Sequence, residues 1–403
     1  MKNPAQANES QTIRTIETTF FFLSLPFFIM GLLLPVYGKE LGATALEIGV
    51  IFSAFSVMTI LMRPIVGWAL DRFGRRPFYV SGMLGYALTM VAFAYSDQVW
   101  GMVAARAMQG VASACAWLSA SAIIADITGP ENRGRYFGRL GQASSRGSIV
   151  GAFVAFTLLN ADFRINGQDM QVNGWKASFL VFACSALVAF LIALRKIPET
   201  FSSEYRTNSR PLVWSRAWTL LMLITLVTAA AWTMTSPILI LFLQDTLKVG
   251  IEVIGWAFLP SGLIWALLPA RLGGLADRFG RKPLMVLGLM VSAGTMFLLP
   301  GLTSIIGLAA LWALLALCFA AGDPAEQALV SDLTGGDQRG RAYGLYVMAS
   351  DIGAAIGPLG GGWLYDNLTP AAPFRITGLI LALCGLVVWS YLHVPAPSPQ
   401  VSA

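Results

Sequence analysis

Apolar runs of about twenty residues, divided by short polar or charged stretches, recur along the whole of this 403-residue chain. They fall at roughly 17–37, 46–70, 77–96, 99–128, 136–160 and 175–194, then 217–243, 251–276, 283–300, 304–333, 341–365 and 373–393. None shows the ten-residue alternation of a membrane barrel strand. Each is long enough for a helix to cross about 30 Å of hydrocarbon. The pattern therefore predicts twelve membrane-spanning helices. Composition agrees: 56% of residues are hydrophobic and only 12% charged, about half the charge of a water-soluble domain. In lipid the backbone must satisfy its own hydrogen bonds, which the helix does.

Charge then orients the spans. One set of loops carries Arg72, Arg75, Arg76, Arg133, Arg135, Arg139, Arg195, Lys196, Arg206, Arg210, Arg216, Arg278, Arg281, Lys282, Arg339 and Arg341. The other carries only Lys39, Arg164, Lys176, Lys248 and Arg375. Lysine and arginine concentrate on the cytoplasmic side, so both termini are expected inside. The net charge of +6 is explained by this bias, and nucleic acid is not an expected partner. The first eleven residues are polar and no cleavage site follows the first run, so no cleavable signal peptide is expected. Pro198–Ser215 is poor in apolar residues and reads as a cytoplasmic linker. The expected organisation is a six-helix bundle over 1–196, a linker over 197–216 and a second six-helix bundle over 217–403.

The two bundles are written in the same words. Gly67-Trp68-Ala69-Leu70-Asp71-Arg72-Phe73-Gly74-Arg75-Arg76-Pro77 returns 206 residues later as Gly273-Gly274-Leu275-Ala276-Asp277-Arg278-Phe279-Gly280-Arg281-Lys282-Pro283. Asp126, Arg133 and Gly138 return at the same offset as Asp332, Arg339 and Gly344, and Gly147 with Gly151 as Gly353 with Gly357. A chain with an internal duplication of this kind needs both copies. Six spans return the chain to the side it left, so the halves run parallel about an axis along the membrane normal. In the repeated loop, Gly74 and Gly280 supply the positive φ that a tight turn requires. Pro77 and Pro283 suit the first turn of the next helix. Asp71 and Asp277 can accept from backbone N–H groups or pair with the neighbouring arginines.

These paired loops resemble the signature loop of the major facilitator superfamily, and the duplication extends the likeness over nearly the whole chain. The resemblance implies an all-α membrane protein with twelve transmembrane helices in two pseudo-symmetric bundles, working as a secondary transporter by alternating access. It further implies a conformational latch built from Gly67, Asp71, Arg72, Gly74 and Arg75 with Asp126 and Arg133. The second latch would use Asp277, Arg278, Gly280 and Arg281 with Asp332 and Arg339. On the fourth span, Arg106-Ala107-Met108-Gln109-Gly110 resembles the Arg-x-x-Gln-Gly pattern of drug–proton antiporters. Their Gly-x-x-x-Gly-Pro marker lacks its proline on the fifth span and is complete on the eleventh, at Gly353 to Pro358.

Charged residues inside the spans carry the remaining signal. Arg106 and Arg146 lie in the first half; Asp323, Glu326 and Asp351 lie in the second. Each charge at the bilayer centre costs about 2.5–3.5 kcal/mol by insertion scales, so these groups must line a wet cavity, pair, or in the acids' case take a proton. Two readings stay open for Asp323 and Asp351: proton coupling or a static ion pair. Glu326, nearer the cytoplasmic end, is read either as a third coupling acid or as solvated. Trp117 and Trp232 are candidate cavity walls or packing residues.

No phosphate-binding loop, metal-ligand cluster or serine–histidine pair is written in the chain, so ATP-driven, metal-dependent and hydrolase chemistry are not expected. The four cysteines sit within apolar runs as small hydrophobes. No cofactor is expected. The expected activity is proton-coupled efflux of a small amphipathic or hydrophobic compound by a monomer in a bacterial inner membrane. Asp323, Asp351 and Glu326 would handle protons, and Arg106, Gln109, Trp117, Arg146 and Trp232 would contact substrate. The alternative is transport of a small organic anion held by Arg106 and Arg146.

Overall fold

The computed structural model describes residues 4–128, 130–159, 164–165, 168–169, 174–200, 215–268, 279–332 and 339–392. The chain divides into two compact units, Met1–Ala43 with Val50–Arg206, and Thr44–Gly49 with Thr207–Ala403.

The first unit opens with α1 (Pro4–Leu23), which starts well before the expected span; within it Thr15, Thr18 and Thr19 return their hydroxyls to backbone carbonyls one turn earlier. The first span is then broken. A turn at 24–26 precedes a π-helical turn (Ile29–Leu33) and α2 (Leu34–Glu40). Pro26 and Pro35 each lack a backbone donor, which unseats the regular ladder. Next come α3 (Ala45–Phe73), α4 (Arg76–Ala94), α5 (Val99–Ile127), α6 (Pro130–Leu159) and α7 (Gly174–Lys196). A two-stranded hairpin of Arg164–Ile165 and Gln168–Asp169 lies between α6 and α7. Phe20, Leu23, Tyr79, Met83, Tyr86, Ala116, Ile123 and Ala189 form one core from α1, α4, α5 and α7.

The second unit repeats this plan. Its first span also breaks, into α8 (Arg216–Thr235) and α9 (Leu239–Leu247) around Pro237. It continues with α10 (Ile251–Leu267), α11 (Arg281–Leu298), α12 (Ile305–Asp332), α13 (Arg339–Asn367) and α14 (Ala372–Tyr391). Trp218, Leu221, Ile224, Met285, Leu329 and Val388 make its core. The first turn of α3 belongs to this unit too: Asp366 accepts from the N–H groups of Ala45 (3.2 Å) and Leu46 (2.8 Å).

Among the described residues, seven helices are long and apolar enough to cross a membrane on length and composition alone. The fifth and eleventh spans, α6 and α13, are full length but rich in glycine and serine. The reason is packing. A Cβ on Gly147 or Gly151 would collide with the carbonyls of Phe21 and Leu25. One on Gly353, Gly357 or Gly361 would collide with those of Leu226, Ala230 and Met234. Each half thus presses its fifth helix backbone-to-backbone on its first, as small residues at four-residue spacing allow. Outward faces carry large apolar side chains such as Phe153, Trp256 and Ile306, which lipid rather than water would cover.

Candidate functional site

In the first unit the repeated loop is an ordered charge cluster around Arg75. Its Nε donates to Asp126 Oδ2 at 3.0 Å, and one guanidinium nitrogen donates to the Leu70 carbonyl at 2.7 Å and lies 3.3 Å from Asp71 Oδ1. Gly74 has φ +92°, the turn expected of it. A residue that sequence reading passed over completes the cluster. Glu199, just after α7, accepts from the backbone N–H groups of Arg75 (2.8 Å) and Arg76 (3.1 Å). A carboxylate at a helix N-terminus is stabilised by both the free donors and the macrodipole, together about 0.3–1 kcal/mol at an exposed site. The same carboxylate occupies the space a Cβ on Gly74 would need, so that glycine is required twice over. Thr200 donates to Asp126 Oδ2 at 3.0 Å, tying the start of the linker to the loop. Arg72 instead stacks near Trp68 and Phe73, at 5.5 and 5.8 Å. Gly67 faces open space.

The second copy is described only in part. Gly280 repeats the turn at φ +86° and Arg281 is half-buried. Asp277 and Arg278 lie outside the described residues. Arg133, Asp332 and Arg339 are helical, but their side chains lie outside the described set.

The buried cation of the first unit is Arg106, 6% exposed on α5. It donates to Gln109 Oε1 at 2.6 Å and to the Met30 carbonyl at 3.1 Å. Its guanidinium lies 4.7 and 5.2 Å from the ring centroids of Phe52 and Phe55 on α3. Among the described residues no carboxylate pairs with it. The charge is carried by dipoles and aromatic faces, and its Nε has no acceptor. Met30 belongs to the π-helical turn, so the break in the first span supplies a partner for Arg106. The π-helical turn at Ile29–Leu33 and the turn at 236–238 fall at corresponding places in the two repeats, and Pro26 and Pro237, at or a few residues before these breaks, were the sequence signal for an interrupted first span. Trp117 packs edge-on against Phe20 at 4.7 Å, on the rim of the core. Arg146 is exposed on α6, on a different face from Gly147 and Gly151.

In the second unit, Glu326 on α12 is half-buried and accepts from Thr225 Oγ1 at 3.1 Å and from the Tyr346 hydroxyl. Among the described residues no cation pairs with it. It lies six residues from the end of α12, about 9 Å in. Hydroxyl partners from α8 and from the next helix, α13, hold it there. Asp351 is half-buried on α13 and has an interaction partner. Asp323 is helical, with its side chain outside the described set. Trp232 packs edge-on against Phe319 at 4.9 Å, immediately before the break in its span. Arg63, half-buried on α3 with an interaction partner, is another membrane-depth charge absent from the sequence-derived candidates.

Two broken first helices, two glycine seams and charged side chains inside spans define a multi-pass membrane transport protein. The chain belongs to the Major Facilitator Superfamily, which matches residues 18–221 and again 221–403. It is similar to the class H tetracycline resistance protein of Pasteurella multocida, 24% identical over 92% of this chain and 94% of that protein. It is likewise similar to the multidrug resistance protein MdtH of Edwardsiella ictaluri, 24% identical over 93% of each. Among solved structures, a bacterial homolog of the human lysosomal transporter Spinster, inward-facing and occupied, shares the fold with a TM-score of 0.71. That likeness covers 96% of this chain and 97% of that one at 13% identity.

Proposed function

We propose that this chain is a proton-coupled antiporter that exports a small amphipathic compound by alternating access. The observation that carries the reading is Glu326, a carboxyl group inside a span whose described partners are hydroxyls rather than a cation. Such a group can hold a proton or release one as its access to water changes, whereas a permanent ion pair cannot. Asp351 and Asp323 are assigned to the same task. Arg106 and Arg146 set the potential of the substrate cavity, and Gln109, Trp117 and Trp232 shape it. The latch residues of the repeated loops hold one conformation. The names of the tetracycline and multidrug resistance relatives support an efflux substrate. On this reading both termini are cytoplasmic and the protein works as a monomer in a bacterial inner membrane; the bias of lysine and arginine to one set of loops supports the orientation.

The test uses purified protein in proteoliposomes with tetracycline and a panel of amphipathic cations as probes. Wild type should move at least one probe when a pH gradient is imposed. Glu326→Gln should lose gradient-driven flux while keeping probe exchange without a gradient. Equal loss of both would remove Glu326 from coupling, and no gradient-driven flux of any probe would sink the antiporter reading.

A second reading has its own observation. Arg106 Nε is buried without an acceptor, and Arg146 is exposed without an ion pair among the described residues. Two such cations suit uptake or exchange of a small organic anion. Gradient-independent exchange of a dicarboxylate, lost in Arg106→Gln, would favour it.

A further inference from the structure

We propose that the first unit binds the phosphate headgroup of an anionic phospholipid in a cavity between α1 and α7. The cavity measures about 460 Å³, within the range of small-molecule sites. Arg14 and Lys196 reach it from the two helices, and Gln11, Thr15 and Thr18 line the α1 side. Ile192 is its one apolar wall among the lining residues. It lies at the end of the bundle that carries the basic loops, because Arg76 of the first loop donates to the Leu194 carbonyl on α7 at 2.8 Å.

Three features point to an anion. Both cations are exposed and neither has an ion-pair partner among the described residues. Of the two acids on α1, Glu17 is held by Arg139 at 2.5 and 3.0 Å and is not free to neutralise them, and Glu9 is not among the lining residues. The Thr15 and Thr18 hydroxyls already donate to the backbone at 2.9 and 2.8 Å, so the cavity's charge comes from Arg14 and Lys196. Lys196 suits the C-terminus of α7 electrostatically, but that does not account for Arg14 on the facing helix.

A fourth feature selects lipid over free phosphate. Leu187, Val188 and Leu191 are exposed along α7 and lead from the cavity into the hydrocarbon. Val188 to Lys196 spans about 12 Å at the helical rise, a track for the upper part of an acyl chain. Basic pockets between transmembrane helices at the cytoplasmic surface are suited to anionic headgroups. Only the choice of leaflet rests on the orientation proposed above.

The experiment is native mass spectrometry of the full chain in detergent with dioleoylphosphatidylglycerol, dioleoylphosphatidylcholine or inorganic phosphate added. Wild type should bind phosphatidylglycerol in preference to phosphatidylcholine and bind phosphate weakly. Arg14→Gln/Lys196→Gln should bind phosphatidylglycerol about thirty-fold less tightly, the effect of two surface cations. A control that removes equal charge outside the cavity, Arg195→Gln/Arg216→Gln, should stay within about twofold of wild type. Unchanged binding in the first variant, or equal loss in the control, overturns the site. Phosphate binding as tight as the lipid's overturns the lipid assignment. Gradient-driven flux of the probes is measured on the same variants, so failure of the lipid site is distinct from failure of the antiporter reading.

Discussion

Arg106 and Trp312 stand at equivalent positions of the two repeats, 206 residues apart, and so do Phe52 and Phe258. In the first half a guanidinium lies 4.7 Å from the centre of the Phe52 ring. In the second, the Trp312 ring meets Phe258 edge-on at 5.1 Å. The same packing slot between the second and fourth helices holds a cation in one half and an aromatic ring in the other. The exchange reverses about four turns further along the same helix. Ala120, wholly buried, is the repeat partner of Glu326, which brings a carboxyl group to its hydroxyl partners. Duplication preserved the slots and specialised the charge. The halves agree where backbone meets backbone and differ where an ion must be kept in hydrocarbon.

The glycine seams should therefore fail alike in both halves, and this is the largest expected effect. Gly151→Leu and Gly357→Leu each drive a side chain into a carbonyl of the first helix, Leu25 in one unit and Ala230 in the other. Overpacking against backbone that cannot move aside costs about 3 kcal/mol or more. Neither variant should yield a monodisperse, cooperatively melting protein by size exclusion and thermal unfolding in detergent. A variant of one half that folds as well as wild type would show that the seams are not equivalent.

Arg106→Trp puts the second half's solution into the first half. The new ring has a partner in Phe52, so the protein should fold and melt within a few degrees of wild type. It loses the bonds to Gln109 and the Met30 carbonyl. With the buried positive charge gone from the proposed cavity, gradient-driven flux should fall about a hundredfold, on the order of 2.7 kcal/mol in the transport barrier. Arg106→Lys keeps the charge but not the forked geometry and should lose much of the flux as well. Wild-type flux in Arg106→Trp would make Arg106 a packing residue and erase the difference between the halves.

Much of this architecture was legible because a repeat is a pattern of identities. Gly74 and Gly280 were read as turn glycines from one matched loop and both adopt positive φ. What was not legible depended on neighbours far along the chain. The partners of Glu326 are Thr225, 101 residues earlier, and Tyr346 on the following helix, and no spacing rule joins them. The broken first helices were written in Pro26 and Pro237, but an apolar run of full length hides an interruption. Arg146 was assigned to a wet cavity or an ion pair from its depth in a span alone; it is exposed on its helix, and no count of residues could have said so. Depth can be counted in residues, while facing depends on which side of the helix its neighbours cover.

The smallest expected effect concerns the residue that sequence reading missed. Glu199 follows α7 as Ile197-Pro198-Glu199-Thr200, and after the last span the chain reads Val394-Pro395-Ala396-Pro397, with alanine in place of the acid. In the first half the carboxylate caps the N-terminus of α4 through two backbone donors. Glu199→Ala leaves those donors to water and should cost about 1 kcal/mol, comparable to losing an N-cap. The melting temperature in detergent should fall by about 2–4 °C. Glu199→Gln keeps one acceptor and loses the charge, so its melting point should lie between wild type and the alanine variant. Raising the salt should narrow the gap between wild type and Glu199→Gln, since only the charge term is screened. A salt-independent gap would mean that the hydrogen bonds alone hold the loop. The difference between the two span ends would then be one of geometry rather than charge.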